Sequence, residues 1–155
     1  MSNLGKKWES DFKRDWKVTF ENSLILRLYD TTNMYKGVQN PCDYITFVKG
    51  HLFLIECKET KGNTFSIGFR QKDELKEYIG IKNVHPGVIL WFSEHQKVVW
   101  IPIETFLKLE EDGKKSFNVK MLNSNDYEYI DMPLNIKRTY VVVDYTKLLE
   151  YYNES

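Results

Sequence analysis

Residues 41–61 read PCDYITFVKGHLFLIECKETK, and this stretch decides the predicted fold. Its two β-rich runs, residues 42–48 and 51–58, are separated by Lys49-Gly50, and a glycine at that place suits a tight turn with positive φ. Residues 52–55 are apolar at four consecutive positions, which is typical of a central strand that is covered on both faces. The sequence therefore predicts a β-hairpin whose second strand lies inside a sheet.

The turn determines which residues of the two predicted strands face each other. If Lys49-Gly50 forms a two-residue turn, every facing pair has positions that sum to 99, so Asp43 lies opposite Glu56. Directly opposed residues of an antiparallel pair hold their Cβ atoms about 4.5–5.5 Å apart. Lys58 falls on the same face because side chains along a strand alternate with a period of two. One face of the hairpin is thus predicted to carry two carboxylates and an ammonium group.

These three charges indicate metal-dependent phosphodiester chemistry. Opposed carboxylates repel each other, and partial burial increases the repulsion unless a proton or a cation compensates for it. Mg²⁺ commonly binds one or two carboxylates and completes its octahedral shell with water and substrate phosphate. Such an ion activates a water molecule, and Lys58 is placed to orient that water or to stabilise the reacting phosphate. The alternative is an ordinary solvated strand end, which the apolar run before Glu56 disfavours.

The same residues resemble a known nuclease signature. Residues 41–43, twelve intervening residues and residues 56–58 resemble the PD-(D/E)XK pattern. Residues 50–61 resemble the corresponding segment of RecU-type Holliday junction resolvases. Upstream, residues 5–9 are similar to the glycine-to-glutamate spacing on the first helix of that family. The tail, residues 132–149, extends the resemblance over nearly the whole chain.

The resemblance implies a metal-dependent endonuclease that cuts branched DNA in recombination and repair. It implies a restriction-endonuclease-like α/β fold, Mg²⁺ or Mn²⁺ as cofactor, branched double-stranded DNA as substrate, and a homodimer. The metal ligands that it implies are Asp43, Glu56 and Glu9, and Lys58 completes the catalytic set. Without the resemblance, Glu9 would be interpreted as a solvated residue on an amphipathic helix.

Two departures from the family pattern leave alternatives open. The chain between Glu9 and Asp43 is shorter than in typical members, so residues 30–41 are interpreted as a reduced stalk or arm. The family's glutamine on the helix after the hairpin is matched by Gln71 with an offset of about one turn. The chain is therefore a junction resolvase, a nuclease of the same superfamily with another DNA target, or a non-catalytic DNA-binding or recombination-modulating protein. Within the family that it resembles, a chain this short favours a phage origin, and a cellular origin stays open.

Further polar residues around the hairpin are candidates for DNA contacts. Lysine acts as a point charge toward phosphate, and the start of a helix favours phosphate binding. In the predicted arm, Asn33 and Tyr35 are candidates for contacts at a branch point. For all of these residues, a solvated surface side chain is the alternative interpretation. The candidates for phosphate contact are Lys6, Lys7, Lys36, Lys61, Arg70, Gln71 and Lys72.

Hydrophobic periodicity places the remaining elements. Trp8, Phe12 and Trp16 recur at every fourth position, which predicts an amphipathic helix over residues 4–20. The alternation of strand and helix patterns without a repeat or linker predicts one mixed sheet flanked by helices, in a single nuclease domain over residues 1–155. The other predicted helices cover residues 70–79, 104–111 and 146–152. The other predicted strands cover residues 24–29, 87–92, 98–103, 117–121 and 140–143, and residues 123–133 are predicted to be rich in turns.

The composition limits the class of protein. A chain of 155 residues with 42% hydrophobic and 28% charged residues is typical of a folded protein. Its net charge of zero gives no general support for nucleic-acid binding, although basic residues slightly outnumber acidic ones before residue 82. No apolar run reaches the roughly 20 residues of a membrane span, and no secretory signal is visible, which predicts a cytoplasmic protein. By the hairpin register Cys42 faces Cys57, and both are predicted to be reduced and buried.

Overall fold

The computed structural model describes residues 3–29 and 40–153, and the side chains of residues 3–6 lie outside that description. The helices are α1 (Asn3–Thr19), α2 (Gln71–Leu75), α3 (Ile103–Glu111) and α4 (Thr146–Asn153). The strands are β1 (Leu24–Arg27), β2 (Tyr44–Val48), β3 (His51–Thr60), β4 (Thr64–Ser66), β5 (Val84–Phe92), β6 (Lys97–Pro102), β7 (Ser116–Asn118), β8 (Ile130–Met132), β9 (Leu134–Ile136) and β10 (Val141–Val143). None of the described helices has the length and apolar character needed to cross a membrane.

Six of these strands form the main sheet, in the order β1-β2-β3-β5-β6-β8. The pairing of β3 with β5 is parallel, and the other four pairings in this sheet are antiparallel. Two small two-stranded sheets, β4 with β7 and β9 with β10, lie outside it. The predicted fold class, a mixed α/β sheet flanked by helices, is therefore confirmed.

A hydrophobic core lies on each face of the main sheet. On one face α1 buries Trp8, Phe12 and Trp16 against β3 and β5, which confirms the predicted amphipathic helix. On the other face α3 contributes Phe106 and Leu109 to a second core. Because both faces are covered, β3 is buried along most of its length, as the apolar run in its sequence predicts.

The register of the β2–β3 hairpin agrees with the prediction. Its ladder runs from Val48↔His51 to Tyr44↔Ile55, and each of these pairs sums to 99. The turn residues Lys49 and Gly50 have φ values of 48° and 86°, which is the left-handed geometry that a tight two-residue hairpin turn requires. The ladder ends at Tyr44, so Asp43 and Glu56 lie one step beyond the last paired residues.

The two cysteines show where the register rule fails. Both are buried and reduced, as predicted. However, Cys42 packs in the hydrophobic core on the α3 face of the sheet, whereas Cys57 packs in the core on the α1 face. The prediction that the two cysteines face each other is therefore wrong. The pairing stops at Tyr44, and the amide of Asp43 donates instead to the carbonyl oxygen of Ile55 at 3.0 Å, which takes the backbone out of the ladder.

Several predicted elements are shorter than expected, and two of them end for clear local reasons. The helix predicted over residues 70–79 is α2, which ends at Leu75 and continues as a 3₁₀ turn, Lys76–Tyr78, because Ile79 is extended and Gly80 adopts a φ of 85°. The strand predicted over residues 117–121 ends at Asn118. The side chain of Asn118 accepts a hydrogen bond from the amide of Lys120 at 2.9 Å, which starts a 3₁₀ turn.

The segment predicted to be rich in turns contains a strand of the main sheet. In β8, Ile130 and Met132 are buried and Asp131 is exposed, so the segment has the alternation of an edge strand. It pairs with β6 over three residues. Such a short alternation between turn residues is not distinguishable from a loop in the sequence alone.

A tight contact at Gly87 gives a test of the packing between β5 and β6. A Cβ atom at Gly87 would lie 2.4 Å from Cζ2 of Trp100 and 2.8 Å from the carbonyl oxygen of Ile101, both of which are fully buried. We expect Gly87→Ala to lower the free energy of unfolding by about 1–3 kcal/mol in a urea titration, because the ring or the strand must shift. The control is Gly62→Ala, where a Cβ meets nothing within 4 Å. Equal effects of the two substitutions would contradict this packing.

Candidate active site

The candidate site lies where β2 stops pairing with β3. One residue before β2, the carboxylate of Asp43 accepts a hydrogen bond from the amide of Cys57, with 2.9 Å between Oδ2 and the nitrogen. At this point β3 no longer has β2 as a backbone partner. The carboxylate oxygen of Asp43 accepts the hydrogen bond that a carbonyl oxygen of β2 would otherwise accept, so the amide of Cys57 is not left unpaired. This contact holds Asp43 beside Glu56.

Glu56 is the buried acid of the site. The residue is only 3% exposed, and its Oε1 is buried without a hydrogen-bond partner among the described residues. Burial in the first place, and then the negative charge of Asp43, raise the pKa of Glu56 to about 8. Lys58 opposes this shift, since its Nζ lies 3.0 Å from Oε2 of Glu56. Burial therefore favours the protonated form of Glu56 in the metal-free protein.

The structure thus places Asp43, Glu56 and Lys58 at the same end of the hairpin. Lys58 remains 28% exposed at its side chain, so its ammonium group is accessible from solvent while it contacts the buried carboxylate. The alternation of β3 accounts for this arrangement, because residues two apart on a strand share a face. The catalytic roles of these residues remain predictions.

An arginine that the sequence analysis missed joins the site. At the end of β1, Arg27 donates from Nη2 to Oε2 of Glu9 at 2.7 Å and from Nη1 to Oδ1 of Asp43 at 3.1 Å. Its guanidinium group lies 5.3 Å from the ring centre of Tyr44 and 5.4 Å from that of Tyr29. In the sequence, the only sign of this role is that Arg27 is a single charged residue within the apolar run of residues 24–29, before the arm. The place of Arg27 in the site depends on the β1–β2 register, which pairs Arg27 with Tyr44 and so brings its side chain next to Asp43.

Glu9 reaches the site from α1. The phenol of Tyr44 donates to the backbone carbonyl of Glu9 at 3.1 Å, which fixes this turn of the helix against β2. Burial, followed by the charge of Asp43, raises the pKa of Glu9, and Arg27 opposes the shift. The predicted fourth residue is therefore close to the other acids, but its carboxylate is bound to Arg27.

The donor set fits one divalent cation at Asp43 and Glu56. Three carboxylates meet two cationic side chains here, and the unpartnered Oε1 of Glu56 is a free oxygen ligand in a buried position. Within the described part of the chain, no group of three or more His, Cys, Asp or Glu side chains is already arranged to hold a metal ion. Glu9 would join a metal only after it exchanges its contact with Arg27.

The predicted DNA-contacting residues have different environments. Lys72 is buried and ion-paired with Glu110, so its ammonium group is not available for the predicted phosphate contact. Arg70 contacts Glu74 and the carbonyl of Asn40, at the start of a helix of five residues.

Of the other candidates, Lys7 and Lys61 are exposed, which leaves them available for phosphate contact. Gln71 is buried, with its side-chain oxygen lacking a partner in the described residues. The side chain of Lys6 lies outside the described part of the chain, as do the arm residues Asn33, Tyr35 and Lys36.

The raised pKa of Glu56 predicts a pH-dependent stability in the absence of metal. The folded protein keeps this proton up to about pH 8, whereas the unfolded chain loses it near the ordinary value of 4.5, so folding becomes less favourable as pH rises between these values. Glutamine cannot ionise. We therefore expect Glu56→Gln, in EDTA, to be more stable than the wild type at about pH 8 by on the order of a few kcal/mol, and to lose this advantage near pH 5.

Urea unfolding across this pH range measures the difference. The control is Glu94→Gln at an exposed position, which should keep a constant offset from the wild type. A stability difference between wild type and Glu56→Gln that does not change with pH would contradict the assigned burial of an acid.

Comparison with known proteins identifies the family of the chain. A structure of Hjc from Archaeoglobus fulgidus, described as a Holliday junction resolvase from an archaeal hyperthermophile, is similar with a TM-score of 0.49 and 18% identity, over 65% of this chain and 78% of that one. No curated protein shows a significant sequence match. The family model described as RecU, Recombination protein U, matches residues 22–151. The chain belongs to the RecU family of recombination proteins.

Proposed function

We propose that this protein is a Mg²⁺- or Mn²⁺-dependent endonuclease that resolves Holliday junctions or other branched DNA. The observation that carries the proposal is the buried carboxyl group of Glu56, which has one unpartnered oxygen beside the carboxylate of Asp43. Such a pair is costly to ionise without a cation, and recombination is the process that the family description names.

In this proposal Asp43 and Glu56 would hold the cation, and Glu9 would assist once it exchanged its contact with Arg27. When bound, a divalent cation supplies an activated water and neutralises charge on the scissile phosphate. Lys58, partly exposed beside Glu56, donates a hydrogen bond to the attacking water or to a phosphate oxygen. Arg27 positions Glu9 and Asp43 and balances part of their charge.

We further propose that the protein acts as a homodimer. Paired cuts across a four-way junction need two active sites that are related by a two-fold axis, and a closed dimer is the simplest assembly with that symmetry. Residues 30–41, the predicted reduced stalk, lie in sequence directly before Asp43 and are the segment that we propose sets the choice among branched substrates.

Cleavage of synthetic DNA tests the proposal. We expect the wild type to cut a four-way junction faster than a flap or a linear duplex in Mg²⁺, and EDTA to abolish cutting. Asp43→Asn, Glu56→Gln and Lys58→Met should each lower kcat/KM by about 10²- to 10³-fold or more, because each removes a group that stabilises the transition state. The matched control is Glu59→Gln, an acid next to the site on the same strand whose side chain alternates to the other face.

The outcomes separate the alternatives. Faster cutting of flap or duplex than of junction would identify a nuclease with another target. If Asp43→Asn left both Mg²⁺ binding and cutting unchanged, the site would be wrong. Failure of the wild type to cut any DNA over a range of divalent metals would favour a non-catalytic recombination protein.

A further inference from the structure

An open groove of about 650 Å³ runs along α1 away from the candidate active site. Glu9 and Arg27 line its inner end, so the groove is continuous with the carboxylate cluster. Lys13 and Lys17 line it further along the helix, and Tyr29 lies on the β1 side. A ligand that is bound at the active site can therefore continue into this groove without leaving the protein surface.

The helix sets the spacing of the charges in the groove. Glu9, Lys13 and Lys17 are separated by four residues each, so they form one stripe on the surface of α1. With a rise of 1.5 Å per residue, the two lysines lie roughly 6 and 12 Å along the helix axis from Glu9. This spacing suits an extended chain of anionic groups that begins at the active site.

The two lysines are the uncompensated cations of the groove. Neither has an ion-pair partner among the described residues. In contrast, Arg14, which also lines the groove, is held by Asp11 and Asp15, and the charge of Arg27 is shared by two acids. Lys13 and Lys17 are therefore available for phosphate groups.

Tyr29 adds an aromatic surface at the edge of the same groove. It is 74% exposed, and its ring lies over the guanidinium group of Arg27 at 5.4 Å from the ring centre. A large exposed ring that is oriented by a neighbouring cation is suited to stack on a nucleobase, and every base has a face that such a ring accepts. Stacking of this kind requires a base that is not paired within a continuous duplex.

We propose that this groove is a subsite for the DNA strand that continues from the scissile phosphate, with Lys13 and Lys17 contacting neighbouring phosphates and Tyr29 stacking on an unpaired base next to the cut. The inference rests on the proposed nuclease function and makes it more specific, since the substrate must present an unstacked nucleotide on one side of the cleavage site. A continuous duplex meets the phosphate contacts but not the stacking contact.

Binding measurements separate this subsite from the catalytic function. In a Lys58→Met background with Mg²⁺, fluorescence anisotropy gives the affinity for a labelled four-way junction over a range of salt concentrations. We expect Lys13→Ala/Lys17→Ala to reduce the slope of log K against log salt by about 1.4–1.8, since each lost phosphate contact accounts for about 0.7–0.9. The matched control removes two exposed lysines from the loop after α3, on the other face of the sheet, as Lys114→Ala/Lys115→Ala.

An equal loss of slope in both double variants, or no loss in either, would overturn the subsite even if the wild type cuts junctions. Loss confined to Lys13→Ala/Lys17→Ala supports the subsite even if the wild type cuts nothing, in which case the proposed catalysis fails separately. Absence of DNA binding both in the wild type and in the Lys58→Met background would overturn both.

The stacking contact has its own test. Tyr29→Ala should weaken binding of a duplex with a short single-stranded gap by about tenfold, and Tyr29→Phe should restore it because the ring is retained. Neither change should affect binding of the continuous duplex of the same length. Equal weakening on both substrates, or none on the gapped one, would overturn the stacking role.

Discussion

The carboxyl group of Glu56 is buried at the point where the central strand β3 loses its partner on one side, and the rest of the site depends on this position. Burial makes the charged form of Glu56 unfavourable, so either a proton or a cation must accompany it. The amide of Cys57 has no backbone partner on the β2 side and donates to Asp43 instead, which brings a second carboxylate to the same place. A requirement of backbone hydrogen bonding thus creates the acidic pair that a divalent cation would need.

Three elements from distant parts of the chain supply the charges around this pair. Helix α1 brings Glu9, β1 brings Arg27, and β3 itself brings Lys58 two residues beyond Glu56. The sheet makes this convergence possible because β1 and β2 lie on one side of β3 and α1 packs across all three. Along α1 the same helix that presents Glu9 also presents the lysines of the groove, so the proposed catalysis and the proposed strand binding would share one rigid element.

Much of this arrangement follows from local sequence rules, and the failures have identifiable causes. The two-residue turn and the period of two placed Glu56 and Lys58 on one face with Asp43 close to them, but Asp43 lies beyond the last paired residue and is held there by the amide of Cys57. Arg27 was missed because its place depends on the pairing of β1 with β2 across the arm, which no local pattern encodes. The misplacement of Lys72 has a similar cause, since its partner Glu110 is distant in sequence. The prediction that Cys42 faces Cys57 was wrong because the register rule was extended beyond Tyr44, the last paired residue of β2.

We propose that Asp43 and Glu56 together bind a single divalent cation. A crystal of the protein soaked in Mn²⁺ tests it most directly, through the anomalous difference density of the metal. We expect one strong peak between the two carboxylates, within coordination distance of Oε1 of Glu56. Occupied Mn²⁺ sites elsewhere, with none between Asp43 and Glu56, would contradict it.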